Sequence, residues 1–140
     1  MTLTEAERSY LATQPLGRLA TRREDGTLQN NPVGVSYNAV TGTIDITGRA
    51  MGATHKFRNV SANGAVALVV DDLASRDPWT VRGVEIRGHA EALVDQQTPS
   101  AYTSPEIIRI HPQRVISWGL GDGDGMIGRD VVADPALPET

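Results

Sequence analysis

Residues 84–92 read VEIRGHAEA, and their alternation decides the fold. Val84, Ile86, Ala90 and Ala92 fall on one face of an extended chain, against Glu85, Arg87, His89 and Glu91 on the other. That period of two predicts a half-buried strand in an antiparallel sheet. Upstream, AVALVV at 65–70 is apolar on both faces, as a strand buried on both sides is. TIDITG at 43–48 follows a turn at Thr41–Gly42 and points Ile44 and Ile46 inward. LGRLATRRE and NPVGVSYN are two further strands, joined through Asp25–Gly26, a strong hairpin pair. In the second of them Val33, Val35 and Tyr37 share a face opposite Gly34 and Ser36. Downstream, EIIRIHPQRVISWGL at 106–120 supplies a last strand, with a bend or an edge at Pro112.

Before these strands, Thr4 and Glu7 have the spacing of a capping box, and Ala6, Tyr10 and Leu11 give one apolar stripe. The spacing predicts a helix over 4–14, ended by Pro15. Six short strands and one or two helices at hairpin spacing predict a mainly β domain, a small antiparallel barrel, over residues 1–120. Residues 121–140, rich in Gly, Asp and Pro, are expected to form a flexible tail.

The 140-residue chain has the size of one domain with one core. A net charge of −4 argues against nucleic acid as the partner. No apolar run approaches the length needed to span a bilayer, and the N-terminus lacks the pattern of a signal peptide. The absence of cysteine fits a reducing cytoplasm, the expected location.

One stretch resists this plain reading. TGRAMGATHKFRNV at 47–60 holds Lys56, the single lysine beside twelve arginines, flanked by Arg49, His55 and Arg58. Thr54 is a good N-cap, Phe57 and Val60 share a helical face, and Gly64 suits the position after the helix. Basic residues in a first turn oppose the helix dipole by about 0.3–1 kcal/mol each. An anion held there by free N–H groups, Lys56 and Arg49 removes the conflict. The alternative is a solvated basic helix end with Lys56 lying over Phe57.

The order of these blocks resembles the pyridoxamine 5′-phosphate oxidase class of split β-barrel flavin and deazaflavin oxidoreductases. LGRLATRREDG, NPVGV, GTIDITG, KFRNV, VALVVDDLASRDPW, VRGVEIRGHAEAL and RVISWGL carry a closer resemblance. They are similar to the branch that uses coenzyme F420 and includes a deazaflavin-dependent reductase of tetracycline biosynthesis. The likeness runs from about residue 4 to 120. It implies a six-stranded split barrel that works as a homodimer, with cofactor sites at the interface.

By this resemblance Asn31, Pro32, Val33 and Gly34 face the tricyclic ring, and Thr47 and Arg49 lie beside the ribityl chain and phosphate. Thr54, His55 and Lys56 bind the phosphate, Arg58 reaches the cofactor's acidic tail, and Trp118 packs near the ring of the other subunit. The implied activity is hydride transfer between F420 and a small organic acceptor such as an activated double bond. FMN, with the same ring–ribityl–phosphate core, is the alternative cofactor; a non-catalytic binding protein is a further one. The class's C-terminal Arg and His for pyridoxal phosphate have no counterpart after SWGL, so pyridoxamine phosphate oxidation is not implied.

No catalytic residue is assigned, and a product proton comes from solvent or Tyr37. Trp79 opens a strand, either lining the mouth of a site or burying against a loop. His89 is expected to be solvated and His111 structural. His55, His89 and His111 lack metal-ligand spacing, so no metal site is expected. GDGDG at 121–125 lacks the closing Glu of a calcium loop.

Overall fold

A computed structural model describes residues 2–98, 100–121 and 125–131. Helix α1 (Glu5–Ala12) starts at the predicted capping box, with Thr4 Oγ1 accepting from the Glu7 N–H. Strands β1 (Leu16–Arg22), β2 (Leu28–Gly34), β3 (Ser36–Asn38) and β4 (Thr43–Ile46) follow. A 3-10 turn (Met51–Ala53) leads into α2 (His55–Ala62). Then come β5 (Ala65–Arg76), β6 (Trp79–Leu93), β7 (Ile107–Trp118) and β8 (Met126–Asp130).

All strands belong to one sheet in the order β2-β1-β5-β6-β7-β4-β3, with β8 on the free half of β7. Each neighbouring pair is antiparallel. The two ends of that order, β2 and β3, are separated in the chain by Val35 alone. The sheet therefore curls until its ends are one bent strand, which leaves fewer unpaired edges. Inside sit Leu19, Ile44, Ile46, Leu68, Ile86 and Ile110, all at or below 1% exposure. Each such side chain contributes about 1.5–3 kcal/mol of burial. The architecture is the expected mainly β split barrel with two helices.

The details correct the expectation in four places. Among the described residues eight strands form rather than six, because the second splits at Val35 and β8 is additional. Part of the segment read as a tail is sheet: β8 pairs with Arg114–Trp118, so the ordered domain runs past residue 120. Residues 122–124 and 132–140 of that segment lie outside the described residues. On α1, Ala6 is exposed and Glu7 takes the inward place at 2% exposure. Glu7 tolerates burial because the Arg129 guanidinium from β8 donates to both its carboxylate oxygens, at 2.8 and 2.7 Å. Fourth, β5 and β6 extend to 76 and from 79, forming a long hairpin that leaves Trp79 71% exposed rather than buried against a loop.

Pro112 acts as expected. The β6–β7 register shifts there, because Pro112 pairs with Gly88 and has no N–H to give the ladder. The shift divides β7: its first half pairs with β4, its second with β8.

Candidate functional site

The basic stretch is built on a pinned loop. Gly48 O accepts from the Ser104 N–H at 2.9 Å, the Met51 N–H donates to Ser104 Oγ at 2.9 Å, and Gly52 N–H to Glu106 Oε1 at 3.0 Å. Met51 is buried at 1% exposure and anchors the 3-10 turn. Thr54 then caps α2, accepting from the Phe57 N–H at 3.3 Å and donating to Met51 O at 2.7 Å. His55 and Lys56 thus stand in the first turn, where N–H groups have no intrahelical acceptor. No acidic residue sits in that turn.

Among the described residues, Arg18, Arg82, Arg87, Arg109, Arg114 and Arg129 each pair with a carboxylate. Arg49, His55, Lys56 and Arg58 have no such partner among them. Arg8, Arg22, Arg23 and Arg76 lack one among them as well, so the helix start is set apart by four basic side chains close together in the chain with no acidic residue in the first turn. Such a group suits a phosphate or carboxylate.

Helix α2 is tied to β2 by a polar chain. Asn59, 8% exposed, donates to Thr21 Oγ1 at 3.0 Å and to Gln29 Oε1 at 3.2 Å. Gln29 Nε2 in turn donates to Asn31 Oδ1 at 2.6 Å. Asn31 is thus an inward-facing relay to the helix. Val33, at 5% exposure, belongs to the core. Of the four residues expected along the ring, Pro32 and Gly34 lie on the outward side of β2 and Asn31 and Val33 on the inward side, because side chains alternate along a strand.

That outward side carries the first cleft. Across the sheet the register aligns Pro32, Arg18, Val69, Glu85, Ile116 and Gly128 in one row. The neighbouring row contains Asn30, Ala20, Ala67 and Arg87, and beyond the other edge Gly83, Trp118 and Met126 align. A cleft of about 490 Å³ lies on this face, floored by Ala20, Ala67, Val69 and Ile116 and walled by Trp118 and Met126. Two ion pairs flank it, Arg18–Asp71 at 2.7 Å and Arg87–Glu85 at 3.0 Å. Here AVALVV finds its explanation: Val66, Leu68 and Val70 enter the core while Ala67 and Val69 line the cleft. Sequence reasoning missed Asn30, Ala20 and Ala67; the apolar outer face of β5 was the available sign.

A second cleft of about 550 Å³ lies by β3 and β4, lined by Tyr37, Asp45, Thr47, Gln96, Thr98 and Arg109 among others. Arg109 grips Asp45 through two hydrogen bonds of 3.1 Å. Burial pushes the Asp45 carboxyl up, but bonds from Arg109, Asn38 and Thr43 outweigh it and hold it below its ordinary value. The predicted residues therefore form three groups: Pro32, Gly34 and Trp118 outside the sheet; Arg49 to Arg58 at α2; Thr47 and Tyr37 at the second cleft. No group of three or more metal-ligating side chains occurs among the described residues.

A family model described as pyridoxamine 5′-phosphate oxidase matches residues 3–119. The chain belongs to this family. Within it, the chain is 45% identical over 138 residues to the 5a,11a-dehydrotetracycline/5a,11a-dehydrooxytetracycline reductase of Streptomyces rimosus, with 96% of each chain covered. A solved structure described as an F420 reductase is 26% identical, at a TM-score of 0.59, covering 81% of this chain and 98% of that one. A conserved hypothetical protein from Mycobacterium tuberculosis shares the fold at a TM-score of 0.63 and 23% identity, over 84% and 85% of the two chains. The family match thus runs from α1 to the end of β7 and leaves out β8.

Proposed function

We propose that the protein is a coenzyme F420-dependent oxidoreductase, a reductase acting on an activated double bond of a small organic acceptor. The observation that carries this reading is the set of unpaired cations at the start of α2, a site fit for the cofactor's phosphate. The 45%-identical reductase supports the reaction class, and the F420 reductase supports the cofactor. The likeness to the former also makes a dehydrotetracycline-like polycycle the first acceptor to try.

In this reading Lys56, Arg49 and the first-turn N–H groups bind the phosphate, and Arg58 meets the acidic tail. Bound F420 supplies the hydride, as cofactors generally carry the hard chemistry. The chain's own residues orient and exclude water: the apolar floor of the outer cleft and Trp118 do the latter. The protein is proposed to act as a cytoplasmic homodimer with cofactor sites at the interface. FMN is the second reading, favoured by the oxidase family to which the chain belongs.

Titration of the purified protein with F420 and with FMN, followed by cofactor fluorescence, separates the two. Tight FMN binding with none for F420 would overturn the cofactor reading. Binding of F420 without consumption of its reduced form by any tested acceptor would favour a carrier protein instead.

A further inference from the structure

The β6–β7 register places Gly83 opposite Trp118. A Cβ built on Gly83 collides with Trp118 Cζ2 and lies 2.7 Å from Cε2 and 3.0 Å from Nε1. The indole therefore fills the space that any side chain at 83 would occupy. Next in the chain, Gly119 turns with φ +68° and lies so close to β6 that a Cβ would be 2.6 Å from Val81 O. Both positions accept only glycine without rearrangement, and both hold Trp118 down on β6.

The strand beneath is clamped as well. Arg82 donates to Asp72 through Nε at 3.0 Å and Nη2 at 2.6 Å, and Tyr10 Oη donates to Asp72 Oδ1 at 2.7 Å. The Arg82 guanidinium also lies 5.2 Å from the Tyr10 ring centroid. Helix α1 thus fixes the stretch of β6 on which the indole rests. Trp118 nonetheless stays partly exposed, and it forms a wall of the outer cleft beside Ile116 and Met126. Across a floor of alanine and valine, it is the aromatic side chain lining that cleft.

We propose that Gly83 is a positioning residue, the missing side chain that seats Trp118 against β6 and so gives the outer cleft its capacity for a planar, conjugated ring system. A side chain at 83 pushes the indole into the space the ring takes. This rests on the reductase reading for the identity of the ring, and on geometry alone for the seating.

The test uses the full chain in a Trp79→Phe background, so that Trp118 is the sole tryptophan. Gly83→Ala is expected to raise acrylamide quenching of Trp118 at least twofold in the ligand-free protein. It is also expected to weaken F420 or FMN binding at least tenfold. Trp118→Leu should weaken binding to a similar degree, and the Gly83→Ala/Trp118→Leu double variant should be no weaker than either single one. Quenching unchanged by Gly83→Ala overturns the seating. Raised quenching with unchanged cofactor affinity, or additive losses in the double variant, overturns the positioning role. If neither cofactor binds the parent protein, the reductase reading fails, and the quenching result still decides the seating. Should Gly83→Ala fail to fold, recovery of folding by adding Trp118→Leu supports the seating, and no recovery overturns it.

Discussion

At the scale of single residues, the question is what a side chain's charge is compensated by. Lys56 and Arg49 have no carboxylate partner among the described residues, so an anion gains from both without breaking an existing pair. Lys56→Ala or Arg49→Ala is expected to weaken cofactor binding about tenfold or more, roughly 1.4 kcal/mol, with an unchanged melting curve. An unchanged dissociation constant returns the cluster to a solvated helix end. Glu7 is the opposite case, buried and fully compensated. Burial pushes its carboxyl up, but hydrogen bonds from Arg129 and Thr4 hold it below its ordinary value. Its folded pKa is depressed, so its stabilisation is full above the ordinary carboxylate range and fades as pH falls through the lowered value. Urea midpoints measured against pH should therefore drop less steeply in acid for Glu7→Gln than for the parent. Arg129→Ala, which strands the buried carboxylate, is expected to cost about 3 kcal/mol at neutral pH, read by urea denaturation.

Among elements, α2 and β8 show what local sequence carries and what it does not. The cap of α2 was legible at Thr54 because capping depends on residues within one turn. Thr54→Ala should lower stability by about 1 kcal/mol in denaturant titration, since the Phe57 N–H then loses its acceptor. Strand β8 was not legible. Met126–Asp130 is short and flanked by glycine, and it is a strand because Arg114–Trp118 offers a free edge once Pro112 has ended the pairing with β4. Likewise Val35 reads as one more alternating residue, yet it is the bend at which the sheet closes on itself. Both depend on partners far along the chain.

For the whole molecule, the outer sheet face is the dominant feature. It exposes Leu16 and Leu28 as well as Met126, around a cleft with an apolar floor. The proposed homodimer is expected to sediment at twice the 15.0 kDa chain mass. Met126→Asp should move that equilibrium towards the monomer and weaken cofactor binding with it; an unchanged dimer would put the interface elsewhere. The sequence by itself determined six strand segments, the two helix caps and the basic cluster, because periodicity and capping are set by neighbours a few residues apart. It also carried the family, through blocks kept in order. Only the tertiary structure decided that the outward sides of β1, β2 and β5 line a cleft. It brought Pro32 and Gly34 onto the face of Trp118, turned Asn31 and Val33 away, and set Arg129 on Glu7 across 122 positions. Those outcomes follow from register and burial, which are properties of residue pairs that meet only when the sheet has curled shut.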